Sequence, residues 1–183
     1  MGCARPQPAP IQGRVQVTVA APVLIDDSQE LDGFDCGVPP LDDWLKRRAR
    51  ANAASGASHT YVACAGQRVV GYYALAAGAV AVTAAPGRFR RNMPDPIPIV
   101  VLGRLAIDRS SQGKGLGRAL FRDAGLRVLQ AAGIIGVRGL LVDAISDEAK
   151  AFYLALGMAV SPIDPMTLLV TLADLRASLT GAP

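Results

Sequence analysis

The chain has 183 residues, of which 51% are hydrophobic and 19% charged, with a formal net charge of +4. That size and apolar content suit one domain burying about two-thirds of its unfolded surface in a single core, and they exclude a disordered or fibrous chain. Arg, Asp, Gly or Pro interrupts every apolar run before about 18 residues, so no membrane-spanning helix is expected.

Residues 1–14, MGCARPQPAPIQGR, lack the apolar core of a signal peptide and read as a flexible arm ahead of a single domain at residues 15–183. Pro6 stands where a myristoylation site needs Ser or Thr. The next stretch, RVQVTVAAPVLI, reads as a first strand with a Pro-marked exit. Residues 26–43 then hold seven acids and no base, whereas Lys46 to Arg104 holds nine bases and one acid, Asp95. Such asymmetry fits either a basic surface facing a polyanion or ordinary solvated faces. FDCGVPPLDDWLKRRARANAASG reads as a turn followed by one helix, with Pro39 or Pro40 in its first turn and Gly56 past its end. Leu41, Trp44, Leu45 and Arg48 share a side of that helix, and Trp44 is expected to anchor the core. HTYVACAGQRVVGYYALAAGAVAV gives two strands around a tight turn, and TAAPGRFRRNMPDPIP, with four prolines, is a loop.

IVVLGRLAID is a nearly continuous apolar run, as a central strand buried on both faces would be. SSQGKGLGRAL follows and opens a helix in which Leu116, Leu120, Ala124 and Val128 keep helical spacing. VRGLLVDAI is another buried strand. SDEAKAFYLALG is a short helix capped by Ser146, with Asp147 and Glu148 in its first turn. MTLLVTL and ADLRASL close the chain as a strand and a short helix. The order β, α, β-β, β, α, β, α, β describes a mixed α/β sheet with helices on both faces. Cys3, Cys36 and Cys64 are odd in number and lack metal-ligand rhythm, so no metal is expected, and reduced thiols point to a cytoplasm.

Three phosphate-binding patterns compete for the glycine stretch. A P-loop fails, because Lys114 is followed by Gly115 and the required earlier glycine is missing. A dinucleotide fingerprint also fails, because the glycines are spaced G-x-G-x-G and follow the fourth strand of the chain. What remains is Q-x-x-G-x-G, Gln112 to Gly117, between a buried strand and a helix N-terminus whose free amides suit a pyrophosphate. At these residues, framed by VLGRLAID and ISDEAKAFYLALGM, the chain resembles the GNAT superfamily of acyl-CoA N-acyltransferases over roughly residues 15–172.

That resemblance implies a GNAT-like mixed sheet splayed at the strand before the pyrophosphate loop, with acetyl-CoA as co-substrate. It implies contacts to the pantetheine arm from the backbone of Leu105, Ala106 and Ile107. The pyrophosphate would meet Gln112, Gly113, Lys114, Gly115, Leu116, Gly117, Arg118 and Ala119, with Phe152 in the core beside the cofactor. Tyr153 matches the position from which a tyrosine gives a proton to the departing thiolate, although Ala149, Phe152, Tyr153 and Leu156 also have core spacing. No general base stands out. His59, the only histidine, reads as a structural or surface residue. An α-amine, with a pKa of about 7.7–8, needs less help than a lysine amine near 10.4, which leans towards an α-amine acceptor.

Five stretches, FDCGVPPLDDWLKRRA, TYVA, VVGYYALAAGAV, IPIVVLGRLAIDRSSQGKGLGRALFRDA and AISDEAKAFYLALGM with SPIDPMTLLVTL, are similar to TacT-type acetyltransferase toxins of toxin–antitoxin pairs. FDCG…LDDWL carries most of that likeness. It implies acetyl transfer to the α-amine of aminoacyl-tRNA, inhibition of translation, neutralisation by a ribbon-helix-helix antitoxin, repression of operator DNA by the joint complex, and a homodimer. Lys46, Arg47, Arg48 and Arg50 on the first helix and Arg88, Arg90 and Arg91 in the Pro-rich loop are candidates for tRNA phosphates. The helix cluster also fits a solvated last turn matched to the dipole. Two other functions fit the residues: an acetyltransferase for a small amine or protein N-terminus, and a non-catalytic binding module.

Overall fold

The computed structural model describes residues 18–180. The expected arm at residues 1–14, with Cys3, lies outside the described residues, as do the opening of the expected first strand and residues 181–183. A sheet of 7 strands runs in the order β1-β2-β3-β4-β5-β7-β6. Its strands are β1 (Val23–Leu24), β2 (His59–Ala65), β3 (Arg68–Val80), β4 (Ile97–Ile107), β5 (Gly139–Asp143), β6 (Ala159–Val160) and β7 (Thr167–Thr171). Neighbours are antiparallel except β4 and β5, so the sheet is mixed.

The helices are α1 (Pro39–Arg47), α2 (Ala49–Ser55), α3 (Gly87–Arg90), α4 (Leu116–Ala132), α5 (Asp147–Ala155) and α6 (Leu172–Thr180). One sheet face carries α4, α5 and α6. There Leu120, Phe121, Ala124, Val128, Tyr153 and Leu175 pack on Val100, Leu102, Leu140, Val142, Leu168 and Val170. On the opposite face Leu41, Leu45 and Ala49 of α1 and α2 pack on Val62, Cys64, Tyr72 and Ala106. Phe89 of α3 covers Ile97, Ile99, Leu141 and Leu169 beside them. The alternation of Ile97 and Ile99 with Val100 and Leu102 between these clusters is the two-residue period of a strand buried on both sides.

The expected first strand shrinks, among the described residues, to a bridge between Val19 and Ala65 and the short β1. Pro22 has no amide to give a ladder, and its carbonyl instead accepts from Arg127 Nη2 at 2.9 Å. The expected single helix is two, broken at Arg48, whose φ of −120° leaves the helical region. Beyond the break Arg50 turns inward, donating to the carbonyls of Asp26 (2.9 Å) and Gln29 (2.8 Å). The expected Pro-rich loop contains a 3₁₀ turn and the single turn α3 before β4 begins. The strand β6 within GMAV is too short to announce itself by periodicity.

Two tyrosines fix the layers together. Tyr72 donates its hydroxyl to the Leu41 carbonyl at 2.8 Å, joining the sheet to α1. Tyr73 donates to Asp123 of α4, and Arg127 Nε donates to Tyr73 Oη at 2.8 Å and to Asp123 Oδ2 at 2.9 Å. Burial first, and for Tyr73 also the neighbouring Asp123 carboxylate, raises both phenols well above the ordinary tyrosine range. Burial alone pushes Tyr153 up to about 12. A raised acid holds its proton in the native state after the unfolded chain has released it at pH about 10. Stability from these phenols is therefore complete below pH 10 and falls as pH rises above it. Thermal unfolding from pH 8 to 11 should show Tm dropping beyond pH 10, and the drop should be shallower in Tyr73→Phe.

Candidate active site

Strand β4 is where the sheet opens. It pairs with β3 along its length, but with β5 only at Val100↔Leu140 and Val101↔Leu141. Past Val101 the edge of β4 that faces β5 has no strand partner, as the expected splay requires. On the β3 side Leu102 pairs with Leu75 and Arg104 with Ala74, which leaves Gly103 as an extra, unpaired residue. This β-bulge bends the strand and restarts its alternation, so Arg104 and Ala106 share the α1 face while Leu105 and Ile107 face α4. Leu105, Ala106 and Ile107 thus lie on the free edge, paired with β3 on one side, with the Ile107 carbonyl taken by Gln112. A glycine inside an apolar run is the usual sequence sign of a bulge.

The loop after β4 ends in an uncapped helix. Gly115 is the N-cap of α4, with φ 82° and no side-chain cap, and Gly113 has φ 72°. Both angles belong to the left-handed region that glycine adopts without strain. The amides of Leu116, Gly117 and Arg118 are left over by helix geometry, and the positive end of the dipole lies beside them. The Ala119 amide is spent on the Gly115 carbonyl at 3.2 Å. Gly117 is not forced by sterics, since a Cβ there would make ordinary contact with the Phe152 ring at 3.6 Å and with Ile107 at 4.0 Å. Phe152 therefore closes the cleft between the start of α4 and the end of β4. These features fit the pyrophosphate and arm of a coenzyme A thioester.

Other loop side chains hold the loop itself. Gln112 Nε2 donates to the carbonyls of Cys36 and Ile107, both at 2.9 Å, and Lys114 Nζ donates to the Ser110 carbonyl at 2.6 Å. The FDCG motif explains the first of these. Arg109 N–H donates to the Asp35 carbonyl at 2.8 Å, Asp35 N–H to Asp108 Oδ2 at 3.1 Å, and Cys36 N–H to Asp42 Oδ1 at 2.9 Å. Gly37 has φ 88°, in the left-handed region that favours glycine, and a Cβ there would press on the Arg109 side chain at 3.0 Å. FDCG is thus a clamp on the base of the glycine loop.

Asp108 is the centre of that clamp. It is 2% exposed and also accepts from Arg68 Nη2 at 2.9 Å, Ser110 N at 3.0 Å and Ser110 Oγ at 2.5 Å. Burial pushes its carboxyl upward, but the Ser110 and Asp35 hydrogen bonds and the Arg68 guanidinium outweigh burial and hold it below the usual range. No single-residue pattern in the sequence announced this hub.

Tyr153 sits on α5, 6% exposed, with its ring 5.2 Å from Phe152 and 6.1 Å from Phe121. Tyr72 and Tyr73 have hydroxyl partners, whereas the Tyr153 hydroxyl bonds to no other described residue. A phenol pushed up to about 12 keeps its proton throughout the physiological range and can donate it. His59 is exposed at the start of β2, paired with Leu75 of β3.

The basic candidates divide. Arg50 is held by main-chain carbonyls and by Asp27 at 3.5 Å, and Arg88 pairs with Asp174 at 3.0 Å. Arg47 reaches Asp43 at 3.8 Å. Lys46, Arg48, Arg90 and Arg91 are exposed, with no ion-pair partner among the described residues. No group of three or more His, Cys, Asp or Glu suited to a metal occurs among the described residues, where Cys36 and Cys64 are free and buried. No described helix is long and apolar enough to cross a membrane.

A family model described as acetyltransferase (GNAT) domain matches residues 56–157. The chain is 51% identical over 158 residues to a tRNA-acetylating toxin of Mycobacterium tuberculosis (strain ATCC 25618 / H37Rv), covering 86% of this chain and 95% of that protein. The solved structure of AtaT complexed with acetyl-methionyl-tRNAfMet is similar at a TM-score of 0.80 and 29% identity, over 87% of this chain and 98% of that one. A tyrosine-to-phenylalanine variant of AtaT bound to the C-terminus of the antitoxin AtaR and acetyl-CoA gives 0.75 and 28%, over 89% and 99%.

Proposed function

This chain belongs to the GNAT acetyltransferase family, and from that premise we propose that it is a toxin moving an acetyl group from acetyl-CoA to the α-amine of aminoacyl-tRNA. Acetylation there removes the nucleophile of peptide-bond formation and blocks translation. A cognate ribbon-helix-helix antitoxin neutralises the toxin, and the joint complex acts on operator DNA. The observation that carries the acceptor is the 51% identity, over 86% of the chain, to a protein that acetylates tRNA. A cytoplasmic location follows from where both substrates are found.

The residues divide the work as follows. The amides of Gly113 to Arg118 hold the pyrophosphate, and the free edge of β4 at Leu105 to Ile107 holds the arm. A β4 amide aimed at the thioester oxygen stabilises the oxyanion, a contact typically worth about 3 kcal/mol. Tyr153 gives its proton to the sulfur as the carbon–sulfur bond breaks, while the amine attacks and loses a proton to solvent. Gln112 and Lys114 act by shaping the loop.

Labelled acetyl-CoA incubated with charged and uncharged tRNA tests the reading. Label is expected on charged tRNA alone; equal labelling, or none, overturns it. The exposed Arg90 and Arg91 are assigned to tRNA phosphates. Reversing both to Glu should raise KM for charged tRNA about tenfold and reduce the slope of log(kcat/KM) against log[salt] by about two. Acetyl-CoA affinity, measured by calorimetry, should stay as it was.

A further inference from the structure

We propose that Trp44 and Arg104 form a stacking platform for the 3′-terminal nucleobase of the RNA acceptor, a subsite that rests on the aminoacyl-tRNA reading above. The indole of Trp44 lies nearly parallel to the Tyr72 ring, at 12° and 5.9 Å between centroids. Tyr72 is fully buried and anchored through its hydroxyl to the Leu41 carbonyl at 2.8 Å, so the base of the stack is rigid. The Arg104 guanidinium stands 5.3 Å from the indole centroid and donates to the Gly103 carbonyl at 2.6 Å. Both side chains are only half-buried.

The position is chemically specific. Arg104 follows the Gly103 bulge, where β4 has left β5 and where a Cβ would meet nothing within 4 Å. That open point adjoins the free edge assigned to the thioester. In a charged tRNA the amino acid is esterified to the terminal ribose, so the terminal base is held one sugar away from the reacting amine. A subsite for that base has to border the transfer point, and Trp44 and Arg104 do so from the face opposite α4. Planar cation and indole together suit any nucleobase, since every base presents a π-face. No carboxylate is within ion-pair reach of Arg104 among the described residues, and the exposed Arg48, at the break that ends α1, donates its amide to the Trp44 carbonyl at 2.8 Å.

The test compares Trp44→Leu, Trp44→Phe, Arg104→Gln and Arg104→Lys on two acceptors: aminoacylated tRNA, and the same RNA ending in an abasic ribose. On the natural acceptor, Trp44→Leu and Arg104→Gln should raise KM about tenfold with little change in kcat, and Trp44→Phe should recover most of the loss. Arg104→Lys should recover less than a pure charge effect would, because the planar fork is gone. On the abasic acceptor the wild type should fall to the level of Trp44→Leu, and the variants should no longer differ. Equal losses on both acceptors, or a changed acetyl-CoA Kd, would mean that Trp44 and Arg104 only support the fold, and the platform fails. A wild-type protein that leaves charged tRNA unlabelled overturns the functional reading instead. Normal labelling with an unchanged KM in Trp44→Leu overturns the platform alone.

Discussion

Tyr153→Phe is expected to lower kcat for acetyl transfer about 10²- to 10⁴-fold while Tm and the acetyl-CoA Kd hardly move. The variant keeps the ring contacts to Phe121 and Phe152, which are what place the side chain in the core. It removes only a hydroxyl that bonds to no other described residue, so no buried partner is orphaned. What it does remove is a proton held securely by burial, with the phenol pushed up to about 12. Single-turnover rates with charged tRNA, calorimetric titration with acetyl-CoA and a melting curve separate these effects. The same change at Tyr73 should do the reverse, costing stability because Asp123 and Arg127 lose a shared partner. A Tyr153→Phe protein with normal kcat would return this residue to the core alone.

Asp108→Ala should act on the fold and the cofactor together. The carboxylate receives Arg68, two backbone amides and the Ser110 hydroxyl while 2% exposed. Removing it strands those donors at a cost of about 2–4 kcal/mol, which for a domain of this size lowers Tm by about 5–15 °C. The FDCG clamp loosens with it, so acetyl-CoA Kd should weaken about tenfold even at temperatures where the protein is folded. The pH dependence gives an independent check. Because the folded carboxyl is held below its ordinary value, its contribution is present above pH about 4 and disappears as pH falls below that. Wild-type Tm should therefore drop in acid, and the Asp108→Ala curve should be flatter there. Ser110→Ala, which removes one of the donors, should show a fraction of both effects.

Local patterns that carry chemistry were readable in the chain. Gln112 to Gly117 between an apolar run and a helical period located the glycine loop that opens α4, because left-handed angles at Gly113 and Gly115 can hardly be met by other residues. Ser146, Asp147 and Glu148 located α5, and with it Tyr153. Long-range bonds were a different matter. That FDCG grips the loop 73 residues away depends on the meeting of Asp35 with Asp108 and Arg109, which no local period encodes. Helix α1 and α2 looked like one, since the break at Arg48 serves a tertiary purpose and its composition remains that of a good helix. Arg50 and Arg88 looked like their neighbours Arg48 and Arg90, yet carbonyls and an aspartate from distant segments occupy them. Trp44 has core spacing, yet it is half-buried, and its stacking on Tyr72 beside Arg104 is a tertiary arrangement that spacing does not show.

The extra residue at Gly103 makes β4 two strands in one, out of phase with each other. Residues Ile97 to Leu102 keep the sheet's inside and outside fixed by packing on both faces, whereas Arg104 to Ile107 run in the opposite phase beside an open edge. A change in the second half can therefore alter what is bound without disturbing the pairing of the first. What is bound can therefore drift among such toxins at this end of a single strand while the first half goes on holding the sheet together.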